Sequence, residues 1–157
     1  MAQILPYRDE WRAEFERLNR DWIETWFTLE DADRETFRDP VGKILDPGGQ
    51  VFFVVDAGRV LGTCAVVRHT AEVHEIAKMA VDPSARGCGY GDLLMEAAVE
   101  FSRRTGAQRV MIVSNTLLGP AIRLYQKHGF VRVPLGADQR YARADIQLER
   151  VLENASG

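Results

Sequence analysis

Apolar side chains recur every three to four positions at Trp11, Phe15, Leu18, Trp22 and Trp26, with charged residues between them. That period predicts an amphipathic helix over residues 9–27. A second, shorter helix is predicted over the acidic stretch 29–37, ahead of the turn-forming Asp46-Pro47-Gly48-Gly49. The pattern then changes to β-branched and aromatic runs. Residues 51–55 and 60–67 read as the two strands of a hairpin around Ala57-Gly58, and residues 72–81 read as a third strand. Leu93, Leu94, Ala97, Ala98 and Phe101 return to helical spacing, and Gly106 stands where a C-terminal cap is wanted. A short buried strand is predicted at 109–113. It is followed by a helix opened by Pro120, carrying Ala121, Leu124, Tyr125 and His128 on one side and ended by Gly129. Two more strands are predicted at 131–133 and 142–148, the latter with Ala142, Ala144, Ile146 and Leu148 alternating onto one face. Two helices, a ββ hairpin and then βαβαββ describe an α/β (α+β) arrangement around a mixed sheet.

Composition narrows the class. A chain of 157 residues, 46% hydrophobic, fits a single domain over 1–157, and a domain of that size buries roughly 70% of its unfolded surface. No repeat, low-complexity tract or linker divides it. Two cysteines, Cys64 and Cys88, without a CxxC or Cys/His cluster, argue against a disulfide framework and against a metal site. The start Met1-Ala2-Gln3-Ile4-Leu5-Pro6 does not read as a signal peptide, and no stretch reaches the ~18 uncharged apolar residues of a membrane span. The expectation is a cytoplasmic protein without a membrane partner. A net charge of −3 with no basic, aromatic-interleaved stretch also argues against nucleic acid. That average hides an asymmetry: residues 1–40 carry 6 − 11 = −5, and residues 86–157 carry 10 − 7 = +3. An anionic ligand on the basic half and a cationic one on the acidic half would suit this division; scattered solvated charge would produce it equally well.

Between the strand at 72–81 and the next helix lies Arg86-Gly87-Cys88-Gly89-Tyr90-Gly91. A glycine-rich strand-to-helix turn gathers unpaired N–H groups and the positive helix end, a common anion site. Two nucleotide loops do not fit. Gly91 is followed by Asp92 rather than the Lys-Ser/Thr of a Walker loop, and a GxGxxG frame would need glycine at Asp92 or Leu94. The stretch has the form R/Q-x-x-G-x-G. With Val81 ending a strand just before it, it resembles the pyrophosphate-binding motif of the GNAT superfamily of acetyl-CoA-dependent N-acyltransferases. A second segment, Ser114-Asn115 followed by Ala121-Ile122-Arg123-Leu124-Tyr125-Gln126-Lys127-His128-Gly129-Phe130, is similar to that family's N…A…LYxKxGF. The order of predicted elements follows the family over most of the chain.

The resemblance implies a GNAT acyl-CoA N-acyltransferase fold, acetyl-CoA as cosubstrate and no metal. It implies that amides from Arg86, Gly87, Cys88, Gly89, Tyr90 and Gly91 cradle the phosphates. The pantetheine arm would pair with the strand holding Met79, Ala80 and Val81, where a main-chain amide would face the thioester oxygen. Tyr125 maps to the family's acid, and a phenol of ordinary pKa near 10 is protonated at pH 7. Glu75 maps to the glutamate some members use as general base. In a regular strand it shares a face with Val73, Ala77 and Met79, and acceptor binding or a structural ion pair are its other roles. Asn115 matches a position that contacts pantetheine, with turn or cap chemistry as its alternative. His69, His74 and His128 read as surface or core residues.

In the family the first helices and final strands border the acceptor, which points to Trp26, Phe27, Glu30, Asp31, Asp33 and Tyr141. Packing and loop solvation are the alternatives for those residues. The function implied is acetyl transfer from acetyl-CoA to an amine of a small molecule or protein, by direct ternary-complex attack in a monomer or homodimer. A longer acyl donor, or a non-catalytic acyl-CoA-binding domain, are the alternatives.

Overall fold

The computed structural model describes residues 1–137 and 140–153. Its elements run β1 (Gln3–Pro6), α1 (Arg12–Trp26), α2 (Asp31–Arg38), β2 (Gln50–Asp56), β3 (Arg59–Arg68), β4 (Val73–Val81), α3 (Tyr90–Arg104), β5 (Arg109–Ser114), α4 (Gly119–Lys127), β6 (Val131–Val133) and β7 (Ile146–Val151). A short 3-10 turn, Asp9–Trp11, leads into α1, and a wide helical turn, Val41–Leu45, follows α2. The strands form one mixed sheet in the order β1-β2-β3-β4-β5-β7-β6. Every pairing is antiparallel except β4 with β5.

The helices bury their stripes on opposite faces of the sheet. Phe15, Leu18 and Ile23 of α1 and Phe37 of α2 pack with Val51, Phe53, Ala65 and Ala80. Leu94, Met95, Ala98 and Val99 of α3, with Tyr125 of α4, pack with Phe52, Cys64, Ile76, Val110 and Leu148. Full burial of each such side chain contributes about 1.5–3 kcal/mol, so the two faces together hold the helices to the sheet. A capping box starts α2, in which Glu30 and Asp33 bond each other's backbone amides.

Three expectations need correction. Residues 3–6 form an edge strand on β2 that the pattern did not reveal; four residues ending in proline carry too short an alternation to register. The last strand begins at Ile146 rather than at 142, because 141–144 turn, with the Ala144 N–H donating to the Tyr141 carbonyl and the Asp145 carboxylate accepting from the Thr116 amide and hydroxyl. Met79 lies on the opposite face of the sheet from Glu75. Thr63 pairs with Ala80 but Ala65 with Ala77, so β4 carries one extra residue, and Lys78 sits at φ +54° in that bulge. Beyond it, Met79 and Val81 pack on the α3 side and Ala80 on the α1 side.

His74 is fully buried beside Phe101, and neither ring nitrogen has a hydrogen-bond partner. Burial, reinforced by Arg68 and His69 nearby, lowers its pKa from 6.5. The unfolded chain therefore takes up this proton more readily than the folded one; the stability is fully present above about pH 6.5 and is lost as pH falls. Urea midpoints measured near pH 7.5 and near pH 5.5 should differ, and His74→Leu should flatten that decline without lowering the midpoint at the higher pH. A decline as steep in the variant as in the unaltered protein would assign it to other groups.

Candidate active site

Strands β4 and β5 pair only through Val73, His74 and Glu75 opposite Arg109, Val110 and Met111, and then part. The gap opens into a cleft of about 700 Å³ lined by residues 75–81 of β4, 112–114 of β5, the glycine loop, Leu124 and Tyr125 of α4, and Trp22, Trp26 and Phe27 at the end of α1. The backbone of β4 faces this gap in a defined way. The Asp82 N–H donates to the Leu61 carbonyl, so by the alternation of an antiparallel ladder Ala80 bonds to β3 while Val81 turns its N–H and C=O toward the gap. The bulge leaves residues 78–79 outside the regular ladder.

Asp82 closes the strand by accepting the Ser84 amide and hydroxyl, which with Arg17 hold its carboxyl down to about 2. The glycine loop follows. Gly87 at φ +84° and Gly89 at φ +81° adopt a left-handed backbone, and a Cβ at either would meet no atom, so conformation and not space requires glycine there. Gly91 differs: a Cβ would lie 3.0 Å from Leu124, so this glycine lets α3 approach α4. Leu93 is the first residue of α3 to donate back into the helix, to the Gly89 carbonyl; before it the Cys88 N–H donates to the Ala85 carbonyl at 3.4 Å, and the amides of residues 89–92 have no helical acceptor. Asp92 in that first turn would oppose an anion, but His128 at 2.8 Å and Lys127 at 3.0 Å face it. Arg86 and Cys88 are exposed, and the Tyr90 hydroxyl is bound to Asp56 at 3.1 Å.

Tyr125 is buried in the cleft wall. Burial, with a smaller effect from Cys64, pushes its phenol up to about 12, so it carries its proton throughout the neutral range. Glu75 lines the cleft from the other face of the sheet and also lines a second cavity of about 460 Å³ beside α2. The two cavities share Glu75, Ala77, Lys78, Val113 and Tyr141. One Glu75 carboxylate oxygen lies 2.7 Å from His69 Nε2, a pairing across six residues of hairpin that the sequence reading passed over.

The remaining expected residues take varied places. Both polar groups of Asn115 are engaged with protein: its amide donates to the Arg143 carbonyl at 2.7 Å and its carbonyl accepts from the Leu117 N–H at 2.8 Å, the turn role. Trp26 is half exposed on the cleft rim and Phe27 packs edge-on against Trp22. Glu30 lines neither cavity; its carboxylate accepts from the Ala142 N–H and from Arg143. Asp31 is exposed and pairs with Arg34. Asp33 is wholly buried between Lys78 and a two-pronged Arg143 guanidinium. Burial alone would raise its pKa, but the hydrogen bonds from Arg143 and Lys78 outweigh it and hold the carboxyl at about 2. Tyr141 lies over both cations, 4.2 Å from Lys78 Nζ and 4.4 Å from the Arg143 guanidinium. Lys78 and Arg143 were not singled out in the sequence, since neither belongs to a motif and their partner lies 45 and 110 residues away. Among the described residues no cluster of His, Cys, Asp or Glu could hold a metal ion, and no helix is long and apolar enough to cross a membrane.

Comparison with known proteins agrees with this geometry. The fold superposes on a GNAT-family acetyltransferase from Staphylococcus aureus Mu50 with a TM-score of 0.89 at 15% identity, covering 98% of this chain and 100% of that one. It also superposes on yncA of Salmonella typhimurium, whose structure contains its cofactor acetyl-CoA, with a TM-score of 0.76 at 16% identity, covering 99% and 96%. In sequence the chain is 34% identical over 87 residues to the mycothiol acetyltransferase of Thermomonospora curvata, covering 55% of this chain and 29% of that protein. It spans 27–44% of the length of such curated relatives. The model of the acetyltransferase (GNAT) family matches residues 8–130, which take in both the glycine loop and the α4 segment, and on that match the chain belongs to the GNAT family.

Proposed function

We propose that this chain acts as one N-acetyltransferase unit that moves the acetyl group of acetyl-CoA to an amine. The observation that carries the reading is the coincidence, in one cleft, of parted parallel strands, outward-facing amides at the start of α3, and a buried, protonated Tyr125. The amides of Gly87 and of residues 89–92 take the coenzyme phosphates, and the free backbone of Val81 pairs with the pantetheine amides. An amide in the bulge at residues 78–79 then donates to the thioester oxygen as negative charge develops there.

The reaction needs the acceptor nitrogen to lose two protons and the thiolate to gain one. Glu75, which lines both cavities, takes a proton from the acceptor ammonium, and the neutral nitrogen attacks the thioester carbon. The zwitterionic tetrahedral intermediate collapses, the C–S bond breaks, Tyr125 gives its proton to the departing thiolate, and the nitrogen gives up its second proton to solvent; Glu75 and Tyr125 regain their starting protonation by exchange with solvent. The acceptor approaches past Tyr141, Trp26 and Phe27. Since the curated relatives are named mycothiol acetyltransferases, mycothiol-related amines join polyamines and protein N-termini among the acceptors to screen.

Calorimetric titration should show acetyl-CoA binding, and Gly89→Val, which forces a branched side chain into a left-handed backbone, should weaken it about tenfold. Unaltered affinity would remove the phosphate-loop assignment. In a thiol-release screen across amines, Tyr125→Phe should lower kcat by about 10²-fold or more while leaving acetyl-CoA affinity intact. An unchanged rate would reject it as the acid. Glu75→Gln should lower kcat for an alkylamine acceptor about 10²-fold near neutral pH and recover part of it at higher pH, where the free amine accumulates; an unchanged rate with a superimposable profile would assign the base elsewhere.

A further inference from the structure

The acid-base pair does not explain the most elaborate polar assembly in the molecule. Asp33 is fully buried in the first turn of α2, and it holds two cations at once. One is Lys78, itself nearly buried, with its ammonium also over the rings of Tyr141 and Phe37. The other is Arg143, which donates through two nitrogens to Asp33 and a third bond to Glu30. These cations belong to the two sides of the cleft. Lys78 is the bulge residue of β4. Arg143 leads through its own carbonyl to Asn115 at the end of β5, and its neighbour Asp145 binds Thr116 in the same turn.

We infer that Asp33 is a positioning residue for the thioester: a single buried carboxylate that holds the β4 bulge in place and ties down the far lip of the gap. The inference rests on the coenzyme reading of the cleft and adds to it what sets the register there. Lysine at φ +54° is an unfavourable conformation for a residue with a Cβ, so something must hold it. The side chain that holds it is anchored on Asp33. Without that anchor, β4 loses its extra residue and returns to regular pairing with β3. A one-residue change of register confined to the end of the strand turns residues 79–81 to the other side. The N–H and C=O of Val81 would then face away from the gap, and the amides at 78–79 would rejoin the ladder. The glycine loop, held separately by Asp82 and by the Asp92 contacts with α4, would keep its shape.

That separation makes the idea testable with acetyl-CoA alone. Lys78→Met keeps the bulk of the side chain and removes its charge; Asp33→Asn keeps the shape of the carboxylate and removes its charge. Each ¹⁵N-labelled variant, with its melting temperature recorded, is titrated with acetyl-CoA and followed by amide NMR. Affinity should fall about tenfold or more in Lys78→Met, as expected for the loss of main-chain hydrogen bonds to the thioester and pantetheine. Amides at 79–81 should no longer respond to the ligand, and those at 87–91 should respond as in the unaltered protein. Should Asp33→Asn not fold, Lys78→Met carries the test by itself, since it leaves Asp33 paired with Arg143. Unchanged affinity and unchanged responses at 79–81 would overturn the positioning role while leaving the coenzyme reading intact. Equal loss of response at 79–81 and 87–91 would make Asp33 a stabilising residue only. No binding by the unaltered protein would overturn both readings together.

Discussion

Two parallel strands that stay together for only three residue pairs impose the geometry from which the rest of this molecule follows. A continuous β4–β5 ladder would occupy its own backbone groups and close the sheet. Their parting leaves a row of peptide groups without strand partners, a cost that a sheet interior normally avoids. The cleft is the consequence, and each neighbouring element meets it with a particular part: α3 with its N-terminal amides, α4 with Tyr125, α1 with its aromatic end, and β4 with Glu75 from the opposite face. A ligand that supplies strand-like amides and an anionic tail is complementary to that arrangement as a whole.

Charge is distributed in the same spirit. The start of α3 keeps its positive end because Asp92 is matched by His128 and Lys127. On the other face a buried carboxylate is tolerated because two cations and a backbone amide surround it. Ion pairs this deep add little net stability, because desolvating both charges offsets most of their attraction, but removing one partner strands the other. Their usefulness lies in geometry: an aspartate on α2, a lysine on β4 and an arginine after β6 meet in one arrangement and no other.

Much of the site was legible in the sequence because it is local. Glycines at 87 and 89 announce a left-handed turn before a helix, and the spacing of Leu124, Tyr125 and Gly129 places a tyrosine one turn from a helix end. The buried environment of Tyr125 follows from its place in an apolar stripe. Other parts had no local mark. The strand at 3–6 is too short for its alternation to be read, and the apparent alternation from Ala142 to Leu148 runs through a turn held by Tyr141 and Asp145. His69 looks like an isolated surface histidine until the hairpin from β3 to β4 brings it to Glu75.

The order of elements, the amphipathic faces of the helices and the glycine loop were determined by the chain itself, since each depends on residues within about a turn or a strand of one another. The register of β4, the face on which Met79 lies, and the meeting of Asp33 with Lys78 and Arg143 were decided only in three dimensions. A bulge has no periodic signature, and a carboxylate cannot announce partners 45 and 110 residues away. The second cavity falls on that second side, because packing between distant elements, and not spacing along the chain, brings Glu75, His69 and Tyr141 to one place.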